Sequence, residues 1–164
     1  MNAIISECEQ YRYRLEREVF DFGDKVIAYF GVNPSTADET TDDPTVRKWL
    51  MFSKLYGARK FIVGNIFAYR TTNVRCLKDA PDPIGPENAY YLREIMHEAD
   101  LLVPCWGSRG KLPRELRHYL DETLISLINS DKPVVIFGRT GSGDPKHPLF
   151  LSCDTQLKPW NYQE

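Results

Sequence analysis

Residues 11–20 and 26–32 are two apolar-rich runs separated by Phe22-Gly23-Asp24-Lys25, a turn signal. The first alternates apolar and polar positions, as a half-buried strand does. Two such runs joined by a short turn predict an antiparallel hairpin. Its second strand leads straight into Gly31-Val32-Asn33-Pro34-Ser35.

The period then changes. Within residues 44–56, Val46, Trp49, Leu50 and Ser53 share one face at helical spacing. Asp43 stands where an N-cap belongs, Pro44 at the first helical position and Gly57 at the stop. Residues 60–68 are nearly all apolar, as in a strand buried on both faces. Pro86 opens a second helix, with Leu92, Ile95, Met96 and Ala99 inward. Residues 101–105 form a short buried strand ending at Trp106-Gly107. Pro113 opens a third helix, with Leu116, Leu120, Leu124 and Leu127 inward. Residues 133–137 are the last parallel strand, and a Gly-rich loop leads to His147.

Strands alternating with helices predict an α/β fold. The expected form is a three-layer α/β/α domain with a mainly parallel central sheet of about four strands, plus an N-terminal antiparallel hairpin strand. No repeat, low-complexity segment or linker divides the chain, so residues 1–164 read as one domain. In such sheets ligands sit in the crevice outside the carboxyl ends of the strands. Asn33-Pro34-Ser35, residues 65–70, Trp106-Gly107-Ser108 and residues 139–147 all fall at strand ends.

Composition narrows the class. A chain of 164 residues with 42% hydrophobic and 27% charged residues is expected to be soluble and globular. It has no apolar run near the roughly 20 residues that span a membrane. The first residues lack the basic start and apolar stretch of a secretion signal, so a cytoplasmic location is expected. Cys8, Cys76, Cys105 and Cys153 are scattered, which argues against zinc and gives no support for an iron–sulfur cluster. No metal and no cofactor are expected. The net charge of −2 is not that of a strong nonspecific DNA binder, so DNA binding would need a local basic face.

Three segments carry candidate chemistry. Pro34 fixes the backbone just after Asn33 and holds that side chain at the mouth of the sheet. Taken alone, the same residues also suit an Asx-type turn that merely ends a strand. His147 is rigidly set between Lys146 and Pro148, beside Leu149, Phe150 and Leu151, and a satisfied loop histidine is its plain alternative. In the acidic stretch 38–43, Asp43 suits a helix cap, while Asp42 or Asp38 could face the pocket and assist a water. Nothing in that spacing demands a divalent metal. The glycines of residues 138–143 suggest a phosphate loop, but Pro145 and Pro148 leave no room for the helix that a P-loop needs.

In combination these segments resemble the uracil-DNA glycosylase superfamily. Gly31-Val32-Asn33-Pro34-Ser35 is similar to the Gly-x-Asn-Pro-Gly motif of its mismatch-specific branch, with Ser35 in place of the last glycine. His147-Pro148-Leu149-Phe150-Leu151-Ser152 is similar to a His/Asn-Pro-Ser-Pro-Leu-Ser motif, departing at Leu149 and Phe150. Asn65-Ile66 with residues 70–73, and the strand ending in Trp106-Gly107, resemble the segments between. The fuller pattern also resembles an uncharacterised family of small bacterial and phage proteins.

The resemblance implies a DNA N-glycosylase. It would flip a uracil-like or C5-modified pyrimidine, hydroxymethylated or glucosylated bases included, and hydrolyse its glycosidic bond in repair or phage defence. Asn33 would orient the water, His147 would donate to the departing base oxygen, and Asp42 would assist. Gly31, Val32, Pro34, Ser35, Asn65, Phe67 and Trp106 would hold the base, with Asn65 reading its edge. The small Ser35 stands where a tyrosine blocks C5 in the strict uracil branch, so a C5 substituent would be accepted. Arg139, Ser142, Lys146, Leu149, Phe150, Leu151, Arg47 and Arg70 would contact DNA. Leu151 matches the wedge leucine and Phe150 is its alternative, core packing being the plain role of both. Arg47 would otherwise pair with the neighbouring acids. No lysine lies in either motif, so no Schiff-base lyase step is expected. No obligate protein partner and no membrane are implied. Two rivals suit the same residues: a non-catalytic nucleotide or nucleic-acid binding module, and a metal-dependent nucleotide hydrolase using the acids of 38–43.

Overall fold

A computed structural model describes residues 2–161 of the chain. Five strands form one mixed sheet: β1 (Asn2–Ile5), β2 (Arg12–Glu18), β3 (Lys25–Gly31), β4 (Ala58–Asn65) and β5 (Leu101–Pro104). Their order is β1-β2-β4-β3-β5. β3 runs parallel to both β4 and β5, while β2 is antiparallel to both β1 and β4. Three helices accompany the sheet: α1 (Pro44–Leu55), α2 (Asn88–Glu98) and α3 (His118–Ile128). Two short strands, β6 (Val135–Ile136) and β7 (Lys158–Pro159), pair separately. The β6 segment touches the main sheet through a single parallel bridge, Leu102 with Val134.

The expected hairpin is corrected. β2 and β3 are not neighbours, because β4 lies between them. The connection carries the reason. The Val19 and Phe20 amides both donate to the Arg59 carbonyl, at 2.8 and 3.3 Å, so the chain passes across the start of β4 instead of folding back on β2. Gly23 permits that passage, since a Cβ there would collide with the Arg59 backbone. β4 is the strand fit for the middle: Phe61, Ile62 and Val63 are all buried, on both faces.

Alternate residues of β3 enter two separate cores. Val26, Ala28 and Phe30 pack with Ile95, Leu120 and Leu127 from α2 and α3. Ile27 and Tyr29 pack with Val46, Trp49 and Phe52 from α1. α1 begins as its sequence requires, with the Asp43 carboxylate accepting from the Val46 amide at 2.9 Å and Pro44 in the first turn. The expected start of the third helix shifts: Pro113 leads a single 3-10 turn, Arg114–Leu116, and α3 follows. The expected last strand shrinks to two residues, since Gly138 turns the chain away at a φ of 115°.

Candidate functional site

The parallel strands β3 and β4 and the neighbouring β5 end on the same side, and a cavity of about 260 Å³ opens there. Beyond β3, Asn33 has both amide hydrogens committed: its Nδ2 donates to the Pro34 carbonyl at 2.9 Å and to the Thr71 carbonyl at 2.7 Å. Only Oδ1 is left to accept from a guest. β4 ends at Asn65, which is buried. Its backbone carbonyl and that of Ile66 are held by the Asn88 amide, at 3.0 and 2.9 Å. Gly31 gives the Asn65 amide room, because a Cβ there would stand 3.0 Å from Asn65 Nδ2.

β5 runs out into Trp106-Gly107, against the His147 segment. The Gly107 amide donates to the Pro145 carbonyl at 2.8 Å, and a Cβ on Gly107 would come within 3.2 Å of His147 Cβ. Gly107 also has a φ of 80°, a left-handed conformation that favours glycine over any residue with a side chain. His147 caps the 3-10 turn Pro148–Phe150, its Nδ1 accepting from the Leu149 amide at 3.3 Å. An accepting Nδ1 carries no proton, so the neutral ring bears its hydrogen on Nε2. Burial first, and then the positive charge of Lys111, push the His147 pKa down to about 4. The site therefore offers an uncharged N–H donor at neutral pH.

Arg12, the first residue of β2, also lines the cavity. It is only 3% exposed. Its Nη1 donates to the Ala37 carbonyl at 2.7 Å and its Nη2 to Asn65 Oδ1 at 3.3 Å, while Nε has no partner among the described residues. Burial lowers its pKa to about 10, which still leaves it charged at pH 7. The bond to Arg12 also orients Asn65: Oδ1 is turned to the guanidinium, and the unpartnered Nδ2 is the group left for a guest. Trp106 Nε1 is a second buried donor without a partner on this wall.

Of the residues expected from the sequence, Gly31, Val32, Asn33, Ser35, Asn65, Trp106, His147, Leu149 and Phe150 line this one cavity. Phe150 is 88% exposed at its mouth, whereas Leu151 packs into the α1-side core. Pro34 lies behind the lining, its carbonyl accepting from the Thr71 amide. Phe67 is fully buried against Tyr119 and does not reach the cavity. Asp42 is turned away as well: it pairs with the buried Arg17 at 2.8 Å. Its neighbour Asp43 lines the cavity instead. The helix cap explains the exchange, because Asp43 must turn one oxygen to the α1 amides at the strand ends.

The expected DNA contacts separate in the same way. Arg139 donates to the Trp160 carbonyl at 2.6 Å and lies over that indole, with its Cζ 3.8 Å from the ring centroid. Ser142 donates to the buried Asp144, which also accepts from Arg109. Arg70 donates to the Glu9 carbonyl, and Arg47, although exposed, to that of Asp42. Lys146 is half-buried beside Gly138. None of these five lines the cavity. Lys111, exposed at the mouth and in no ion pair among the described residues, was not singled out by its sequence context, nor was Arg12. No group of three or more His, Cys, Asp or Glu that could hold a metal gathers among the described residues. No described helix is long and apolar enough to cross a membrane.

A protein-family model matches residues 12–149, most of the chain. The chain belongs to the family described as protein of unknown function (DUF1643). The matched segment opens at Arg12 and closes at Leu149, so this DUF1643 segment holds every cavity residue named above except Phe150. No curated protein and no solved structure matches the chain.

Proposed function

We propose that this DUF1643 protein is a metal-free, monofunctional DNA N-glycosylase acting on a flipped uracil-like or C5-modified pyrimidine. On this reading the two covered faces make a three-layer α/β/α domain whose parallel strands end at the site, as in the uracil-DNA glycosylase superfamily. The observation that carries the proposal is the meeting of Asn33 and His147, separated by more than a hundred residues, in one cavity with complementary free groups. Asn33 offers only an acceptor and the neutral His147 offers only a donor.

The chemistry follows from those groups. Water bound to Asn33 Oδ1 attacks C1′ of the sugar. The C1′–N1 bond breaks, and its electron pair leaves with the base. The Nε2 hydrogen of His147 stabilises the base oxygen on which charge collects. The Asp43 carboxylate, facing the same cavity, stabilises the cationic sugar and accepts the water's proton. The released base then takes a proton from solvent. A cavity of about 260 Å³ lies at or below the roughly 300–1,000 Å³ of drug-sized pockets, which suits one heterocycle. Phe150 stands exposed at the mouth, where an apolar side chain can fill the gap left by a flipped nucleotide.

The test is incubation with oligonucleotides that each carry one altered base, followed by alkali. Breaks at the altered position of a uracil or C5-modified pyrimidine strand are expected, and they disappear with Asn33→Ala or His147→Ala. Intact strands across the whole panel would overturn the proposal.

A further inference from the structure

Arg12 has no role in the chemistry above, yet it is the cavity's most unusual group. A buried guanidinium normally faces a carboxylate, because taking an unpaired charge out of water is costly. Arg12 faces two neutral oxygens, the Ala37 carbonyl and Asn65 Oδ1, and its Nε faces none. The charges around it oppose one another: Asp43 and Asp38 favour its charge, while Arg70 and Arg17 repel it. Arg17 is already matched by Asp42. Across the cavity His147 is uncharged, Arg109 is matched by Asp121 and Asp144, and Lys111 adds a cation in no ion pair among the described residues. Asp43 is the one carboxylate in the lining, and one of its oxygens is committed to the α1 cap.

We propose that Arg12 makes this cavity selective for a guest that is negatively charged when bound, acting through the Asn65 amide it polarises. Resting on the glycosylase reading, that guest is the departing base as an anion. Arg12 is then a positioning residue: it turns Asn65 Nδ2 towards the base and strengthens that donor by holding Oδ1. The same arrangement gains little from a neutral base in the ground state, so its effect grows as the bond breaks.

The test uses free 5-nitrouracil, whose nitro group makes the ring ionise at moderate pH, titrated calorimetrically into the full-length protein below and above that ionisation. Uracil, neutral over the same range, controls for titration of the protein. Wild-type affinity for 5-nitrouracil rises about tenfold as the ligand ionises, the difference between a neutral and a charge-assisted hydrogen bond. Arg12→Gln loses that rise and Arg12→Lys keeps part of it. Should Arg12→Gln fold poorly, Asn65→Asp places a carboxylate against the guanidinium, so its melting temperature holds or rises while the preference for the anion disappears. Equal wild-type affinity for both forms, no binding of either, or a preference that survives Asn65→Asp would overturn the inference. The two readings fail separately. Cleavage of oligonucleotides without charge selectivity removes this inference alone, and charge selectivity without cleavage removes the glycosylase reading alone.

Discussion

Arg12 and Arg17 stand on the same strand, are equally buried, and are treated in opposite ways. Arg17 is 2% exposed, and each of its three guanidinium nitrogens has a partner: the Asp42 carboxylate and the carbonyls of Glu16 and Asp38. Arg12 is 3% exposed and receives no carboxylate. The acidic loop could have supplied one, since Asp38 and Asp43 are both near enough to act on its charge. Charge matching therefore belongs to the clamp that fastens the loop to the sheet. The unmatched charge belongs to the cavity. Burial alone does not tell an arginine that fastens a loop from one that faces a cavity; the partner does.

The largest expected effect separates the two directly. Arg17→Met leaves Asp42 and the carbonyls of Glu16 and Asp38 without their donor and costs about 3 kcal/mol in urea unfolding. Arg12→Met removes a cation that had no carboxylate partner, leaves only the neutral Ala37 and Asn65 oxygens without their donor, and costs about 1 kcal/mol in the same measurement. Equal losses would erase the distinction.

His147 extends the comparison to a group kept uncharged. Folded His147 takes a proton only near pH 4, while the unfolded chain takes it near 6.5. Between those values the unfolded state binds more protons, so stability falls as pH drops from 6.5 to 4. Allowing for partial exposure, the loss is about 2 kcal/mol relative to His147→Gln, which has no such titration. Parallel stability curves for the two proteins across that window would show that His147 is not held neutral. The smallest effect belongs to the mouth. Phe150→Ala changes stability by less than about 0.5 kcal/mol, since the ring is almost fully exposed. Cleavage of a base in duplex DNA falls several-fold while cleavage in single strands persists, because only the duplex leaves a gap to fill. Equal loss on both strands would assign Phe150 to base binding instead.

The parts of this molecule that were legible in the sequence are those specified locally. The Asp43-Pro44 start of α1 is a cap and a ring constraint within two residues, and both operate. Asn33, Asn65, Trp106 and His147 converge because strand ends converge, and strands can be read from apolar runs. What escaped is specified by distant contacts. The partners of β2 depend on β4, 48 residues downstream by the register of Leu15 with Val63, so the local pattern favoured the wrong neighbour. Arg12 sits in an alternating strand where a polar residue reads as solvent-facing, and only the fold places it under Asn65. Asp42 and Asp43 are adjacent acids, and the α1 cap on one and the Arg17 pair on the other decide which turns to the cavity. Phe67 lies two residues beyond the end of β4, and the T-shaped contact with Tyr119 claims its ring.

The insertion of β4 between β2 and β3 also constrains how the chain reaches this state. Val63 is flanked by Leu15 on one side and Tyr29 on the other, so one late-arriving strand completes two ladders at once. The first two long strands cannot zip together into the native pairing, and each must wait with an open edge for β4. Closing those long loops before any ladder forms is an entropic barrier, and it makes folding slow relative to a chain of simple hairpins. Gly23, by letting the chain cross Arg59 closely, is what leaves room for β4 between the two strands.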